Sequence, residues 1–261
     1  MSRVVSLLTD FGLADPYVGE MKGRILAGEP GTELVDLTHA IPAGDIAAGA
    51  FLLSRAWSAF PEGTIHLAVV DPGVGTTRAA LAVEASGHWF VGPDNGLLSM
   101  AVGTPDRIWR LEADRVAPGR APSPTFHGRD LFAPATVRLL RGEDPAGMAT
   151  ETRSMTGLEP VFERQDDRLV GEVLWVDHFG NAITAIGADA VSEFGPEVQV
   201  RVGALRLHGL HRTFGDVESL TPLAYIGSGG TLELAVRDGD LSERFGIERG
   251  SRVEIRPLAG D

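Results

Sequence analysis

Ile65-His66-Leu67-Ala68-Val69-Val70-Asp71-Pro72-Gly73-Val74-Gly75 is the stretch that decides the fold class. A short apolar run, too brief for a helix, stops at an acid and a Pro-Gly pair, as a buried strand entering a turn does. Working outward, the same pattern recurs. Residues 4–8 predict a strand that ends at Thr9-Asp10-Phe11-Gly12. Asp15-Pro16 then opens a helix with Val18, Met21, Ile25 and Leu26 on one face. Residues 34–37 predict a second strand. Asp45 caps a helix carrying Ile46, Phe51, Leu52, Leu53 and Trp57, and Pro61 closes it. Residues 79–83 and 89–91 read as a strand pair around Ser86-Gly87, and residues 135–141 as a helix. Strands alternating with helices at this spacing predict a layered α/β domain with a mostly parallel sheet over residues 1–157.

After Gly142 the texture changes. Residues 142–168 are rich in Glu, Asp, Arg, Gly and Pro without periodicity, which suits a linker, placed at 158–167. Beyond it, strand candidates at 170–176, 198–202, 232–236 and 253–255 are separated by Gly203, Gly209 and Gly227-Ser228-Gly229-Gly230. This predicts a small β-barrel over 168–261.

The chain has 261 residues, 43% of them hydrophobic, which is ordinary for a globular protein. Lys and Arg total 23 against 36 Asp and Glu, a net charge of −13. Such a surface repels phosphodiester backbones and argues against nucleic acid as a partner, but it suits a cationic small molecule. The absence of cysteine excludes disulfides, thiolate zinc sites, iron–sulfur clusters and a cysteine nucleophile. The apolar start is too short for a signal-peptide core, and no segment nears the roughly 20 apolar residues that span a bilayer. A cytoplasmic protein without a membrane partner is expected.

In open α/β sheets, ligands bind beyond the carboxyl ends of the strands, and polar residues gather at such ends here. Asp10 and Asp15 suit a ribose diol, a metal or a cation; they equally suit a turn and a helix N-cap. Asp71 and Arg78 flank a glycine-bearing loop that lacks the Gly-Lys-Ser/Thr of a phosphate cradle, and they could form a structural ion pair. His127, in Thr125-Phe126-His127-Gly128-Arg129-Asp130, is a catalytic candidate, although a lone loop histidine is more often a surface residue. Asp177-His178-Phe179-Gly180-Asn181 offers a stacking ring and an amide, or simply a Gly-Asn hairpin turn. His39, His66, His88, His208 and His211 lack metal-ligand spacing, so no metal and no cofactor are expected.

Thr-Asp-Phe-Gly at 9–12, Asp-Pro-Gly-Val-Gly-Thr-x-Arg at 71–78, Pro-Asp-Asn-Gly at 93–96, Phe-His-Gly-Arg-Asp at 126–130 and Asp-x-Phe-Gly-Asn at 177–181 occur in that order. Together they resemble the S-adenosyl-L-methionine (SAM) hydroxide adenosyltransferases, the adenosine-forming SAM hydrolases related to the fluorinase and chlorinase. The resemblance implies an N-terminal α/β domain, a C-terminal β-barrel and a homotrimer with each site at a subunit interface. It implies that Asp71, Arg78 and His127 handle the nucleophilic water, that Asp10 binds the ribose hydroxyls, and that Asp15 and Asp177 hold the methionine end. Phe126 would join the substrate site. Adenine would lie against Phe179 and Asn181, with backbone groups from the segment bearing Ser228, Glu233 and Ala235. The Asp-x-Phe spacing is one residue shorter than in the halogenating relatives. Those relatives are expected to carry tyrosine at the positions of Asp71 and His127, a hydroxyl residue at Val74, serine at Gly128 and an extra loop. Halide is therefore not the expected nucleophile.

The implied reaction is attack of water or hydroxide on C5′ of SAM, giving adenosine and L-methionine, with SAM as substrate. The sulfonium leaves as a neutral thioether and needs no acid. Water, with a pKa of about 15.7, is the partner that needs help. Rival readings are a SAM or adenosine sensor without turnover, a metal hydrolase ligated by Asp10, Asp71 and His127, and a methyltransferase.

Overall fold

The computed structural model describes residues 3–165 and 167–258, and the chain divides between Leu158 and Glu159 into two compact units. Asp166, inside the stretch expected as linker, lies outside the described residues, as do residues 1–2 and 259–261 at the outer ends of the two expected domains.

The first unit contains β1 (Val4–Thr9), α1 (Tyr17–Gly28), β2 (Glu33–Thr38), α2 (Ile46–Ala56), β3 (Ile65–Val69), β4 (Ala80–Ala85), β5 (His88–Pro93), α3 (Ser99–Val102), β6 (Arg107–Leu111), α4 (Ala113–Val116), α5 (Ala133–Leu140) and β7 (Ala149–Thr152). The sheet order is β2-β1-β3-β5-β4-β6-β7. Parallel pairings join β2, β1, β3 and β5, and antiparallel ones join β5, β4, β6 and β7. The decisive strand β3 is buried throughout, with His66 set among its apolar residues. Asp45 caps α2 by accepting the Ala48 N–H at 3.0 Å. The β4–β5 hairpin turns at Ser86 and Gly87, both at positive φ, which matches the twist of the strands it joins. In α1 the buried face is Val18, Met21 and Ile25; Leu26 is instead 42% exposed. One residue past Ile25 is a rotation of about 100°, enough to leave the stripe.

Ser6, His66 and His88 form a buried polar string: Ser6 Oγ lies 2.7 Å from His66 Nδ1, and His66 Nε2 lies 3.3 Å from His88 Nδ1. Burial, reinforced by His88, pushes the His66 imidazole down to about 3 from its ordinary 6.5. The native state therefore resists a proton that the unfolded chain accepts. The stabilisation is complete above about pH 6.5 and drains as pH falls towards 3, by about 1.4 kcal/mol per pH unit. Urea midpoints at pH 7 and pH 5.5 should differ, and the difference should shrink in His66→Phe; an equal difference in both proteins would exclude His66 as its source.

The second unit contains β8 (Phe162–Gln165), β9 (Arg168–Val176), β10 (Ala182–Gly187), α6 (Ala188–Ser192), β11 (Val198–Val202), β12 (Leu205–His208), β13 (Pro222–Ile226), β14 (Thr231–Val236), α7 (Leu241–Phe245) and β15 (Arg252–Pro257). Its antiparallel sheet runs β12-β11-β15-β9-β10-β14-β13, with β8 added to β9. The two ends of that order meet, since the His211 N–H donates to the Ala224 carbonyl at 2.9 Å and His211 bridges Tyr225. The sheet thereby curls into a small, nearly closed barrel around Leu169, Val200, Leu234 and Ile255.

Part of the stretch expected as linker is strand. Ala149–Thr152 is an edge strand, and Phe162–Gln165 is an exposed strand beside β9. The first buries only Ala149 and the second buries no residue, so periodicity could not reveal them. Among the described residues no helix is long and apolar enough to cross a membrane.

Candidate active site

In the first unit, loops meet at the carboxyl ends of β1, β2 and β3. Asp10 follows β1 directly, and its Oδ2 accepts the Gly44 N–H at 2.7 Å. Gly44 sits at φ +72 with Pro72 against it, 3.6 Å from where a Cβ would stand. A buried relay seats the Asp10 loop from below. Thr9 Oγ1 lies 2.8 Å from His39 Nδ1, and the His39 carbonyl accepts the Gly12 N–H at 2.8 Å. Asp15 is exposed, makes no hydrogen bond or ion pair among the described residues, and does not cap α1, whose N-cap is Pro16.

β5 lies between β3 and β4, so residues 70–79 cross over its end to connect them. This crossing carries Asp71 and Arg78. The Arg78 guanidinium grips the Asp71 carboxylate with two donors, Nε to Oδ1 at 2.8 Å and Nη2 to Oδ2. Nη2 also lies 2.8 Å from His127 Nδ1, and Nη1 donates to the Ala79 carbonyl at 3.2 Å. The Phe132 ring lies beneath, 5.3 Å from the guanidinium carbon. The side chains of Arg78 and Asp71 are only 10% and 4% exposed, so this charge pair is largely shielded from water.

His127 reaches Arg78 because two loops approach closely. A Cβ on Gly75, at φ +77, would stand 2.4 Å from the Pro124 carbonyl oxygen, so glycine is required there. After His127 the chain makes one π-helical turn at Gly128–Phe132, closed by the Ala133 N–H on the Gly128 carbonyl. Such turns recur at functional sites. Arg129 and Asp130 anchor the loop: Asp130 accepts from Arg129 and from the Ser123 N–H, and Arg129 also reaches Glu20 on α1 at 2.6 Å. The Arg129 hydrogen bonds hold the Asp130 carboxyl down at about 2. Burial, and then the charge of Arg78, push the His127 imidazole below its ordinary range. Phe126 packs edge-on against Phe11 and Tyr17, with centroids 5.8 and 5.4 Å away, joining the Asp10 loop to the His127 loop. A recess of about 250 Å³ opens beside Arg78 and His127.

In the second unit, Asp177, Phe179, Asn181, Ser228 and Glu233 line one cleft of about 920 Å³, together with Phe214 and Tyr225. Asp177 Oδ1 accepts the Phe179 and Asn181 N–H groups at 2.9 Å, and Oδ2 accepts the Asn181 side-chain amide at 2.9 Å. The segment is thus a hairpin turn between β9 and β10, with Gly180 at φ +81, and a cleft wall as well. The turn leaves the Phe179 ring 72% exposed. Glu233 is buried and accepts the Tyr225 hydroxyl at 2.8 Å, which raises the tyrosine pKa after burial has done so. Ala235 is fully buried within the sheet.

Of the residues singled out from sequence, Asp71, Arg78 and His127 converge, Asp10 and Phe126 lie on loops tied to theirs, and Asp15 projects alone. Sequence reading missed Gly44, Thr9 and His39 as supports, and Tyr225 and Phe214 in the cleft. Only Gly44, a glycine after Pro42, offered a local signal. Among the described residues no group of three or more His, Asp or Glu is placed to hold a metal ion.

Comparison with known proteins bears on both units. Residues 5–149 match the family model for the SAM hydroxide adenosyltransferase N-terminal domain, and residues 171–254 match that for the C-terminal domain. The chain is similar to an (R)-S-adenosyl-L-methionine hydrolase of Thermus thermophilus, 44% identical over 97% of this chain and 99% of the relative. A protein of the same name from Salinispora tropica is 38% identical over 96% and 97%. More distant relatives are named fluorinase. Among solved structures, an uncharacterized conserved protein from Thermotoga maritima superposes with a TM-score of 0.88 at 34% identity, covering 96% of this chain and 99% of its own.

Proposed function

We infer the activity from one premise: the chain belongs to the SAM hydroxide adenosyltransferase family. It hydrolyses SAM to adenosine and L-methionine. A water oxygen bonds to C5′ as the C5′–S bond breaks, sulfur keeps the electron pair as a neutral thioether, and the water gives up a proton.

The observation that carries the assignment of the reacting group is the bridge from Asp71 through Arg78 to His127. Guanidinium cannot act as an acceptor, so the Arg78 contact on His127 Nδ1 uses the ring's lone pair. The neutral ring then holds its proton on Nε2 and can donate, not accept, at that nitrogen. This divides the labour. Asp71 takes the proton from water, while Arg78 and the His127 Nε2–H stabilise the oxygen as it gains charge. Asp10, with Oδ2 committed to Gly44, keeps Oδ1 for the ribose hydroxyls. Asp15 and Asp177 would face the methionine end, and Phe179, Asn181 and the Ser228–Glu233 wall would take adenine. SAM is the substrate, and the chemistry above uses no metal or further cofactor. The family resemblance supports a homotrimer in which the large unit of one copy and the small unit of another share a substrate; a monomeric mass by light scattering would reject it.

Incubation with SAM in ¹⁸O-water, followed by mass spectrometry of the nucleoside, tests the reading. Adenosine carrying ¹⁸O at C5′ is the expected product. Tight SAM binding without adenosine would make the protein a sensor, and S-adenosylhomocysteine would make it a methyltransferase. Asp10→Ala should raise the SAM dissociation constant about tenfold or more, because charge-assisted hydrogen bonds to the ribose are lost. An unchanged constant by calorimetry would remove Asp10 from the substrate site.

A further inference from the structure

The Pro-Asp-Asn-Gly turn at 93–96 plays no part in the chemistry above, yet it lies directly beneath the crossing that bears Asp71 and Arg78. It follows β5, over whose end residues 70–79 pass. The Asn95 Nδ2 donates to the Val70 carbonyl at 2.9 Å, immediately before Asp71. The Asp94 N–H donates to the Ala79 carbonyl at 3.0 Å, immediately after Arg78. That same Ala79 oxygen accepts Arg78 Nη1 at 3.2 Å, so the guanidinium and the turn share one anchor. The turn is itself fixed. Asn95 Oδ1 accepts the Leu97 N–H at 3.1 Å, and Asp94 Oδ1 accepts the Thr156 N–H at 2.6 Å. Gly96, at φ +98, lies under Leu158, 3.1 Å from where a Cβ would stand.

We propose that Asn95 is a positioning residue for the water-activating group: its amide pins the Val70 carbonyl and so sets the direction in which Asp71 meets Arg78. The inference rests on the reading of Asp71, Arg78 and His127 given above. Val70 is fully buried, so losing the amide leaves its carbonyl without a solvent substitute, and the entrance to the crossing must shift. Asn95→Asp is the sharper substitution, since it keeps the shape while replacing the donor with an acceptor facing the carbonyl.

The test measures kcat, KM and the NMR titration of the His127 ring in Asn95→Ala and Asn95→Asp, with Asp144→Ala as a control. Asp144 caps a remote turn through the Ala146 N–H. The expected result is a kcat about 10-fold lower in both Asn95 variants, with KM within about twofold, because positioning errors act on the reacting geometry. The His127 ring should also titrate nearer its ordinary value as Arg78 is released. The control should lose stability and keep both kcat and the titration. A kcat within twofold of the parent, or a fall no larger than in a control of equal stability loss, overturns the positioning role. If Asp71→Ala also retains turnover, the underlying assignment fails instead. Should the parent lack turnover, the titration alone decides, and an unmoved His127 rejects the proposal.

Discussion

Asp71→Ala should lower kcat by about 10²-fold or more while the SAM dissociation constant changes little. The substitution removes the carboxylate that Arg78 grips, the group proposed to accept the water's proton. It also strands a guanidinium that is 10% exposed. An uncompensated buried charge costs about 3–5 kcal/mol, so some loss of stability accompanies the loss of rate. Asp71→Asn separates the two effects. It keeps the volume and one acceptor oxygen but cannot take a proton, so its turnover should fall nearly as far with the fold better preserved. Steady-state release of adenosine gives kcat, and calorimetry gives affinity. Turnover near the parent level in the Asn variant would show that water is activated elsewhere.

Arg78→Lys should cost about 10²-fold in kcat even though the charge is retained. Arg78 serves both Asp71 oxygens, His127 Nδ1 and the Ala79 carbonyl at once, which requires a planar fork of five N–H groups. An ammonium is a single point with three donors and cannot span them. The charge that Lys retains is read separately, by the pH profile of a variant that removes it. Burial, and then the charge of Arg78, hold the His127 pKa below its ordinary value, so the ring stays neutral to a lower pH than a free imidazole does. In Arg78→Gln, where the charge goes as well as the fork, the pKa should rise and the acid limb of kcat should move up with it. A profile that keeps its acid limb while kcat falls would mean that His127 does not report on Arg78.

Much of this architecture was legible because it rests on local rules. The buried run ending at Asp71 is β3, Asp45 caps α2, and Ser86-Gly87 turns the β4–β5 hairpin. Each follows from a few adjacent residues. What escaped is either exposed or non-local. Phe162–Gln165 buries no face, β10 and β13 are short strands with no strict alternation, and β12, which does alternate, is only four residues long. The resemblance named Asp71, Arg78 and His127 together, yet no pattern shows that Arg78 meets a histidine 49 residues away, or that Gly75 makes the approach possible. Asp177 shows the opposite limit: the expected hairpin turn forms, and the carboxylate that fixes it also lines a cleft, which no turn signal indicates.

The crossing over β5 is fastened at its two ends through the carbonyls of Val70 and Ala79, and a carbonyl is common to every amino acid. The residues between those ends, Gly75 apart, can therefore be exchanged without loosening the bolts. Directed evolution towards a different attacking group can treat this span as a cassette, leaving the sheet, the barrel and Asp10 untouched.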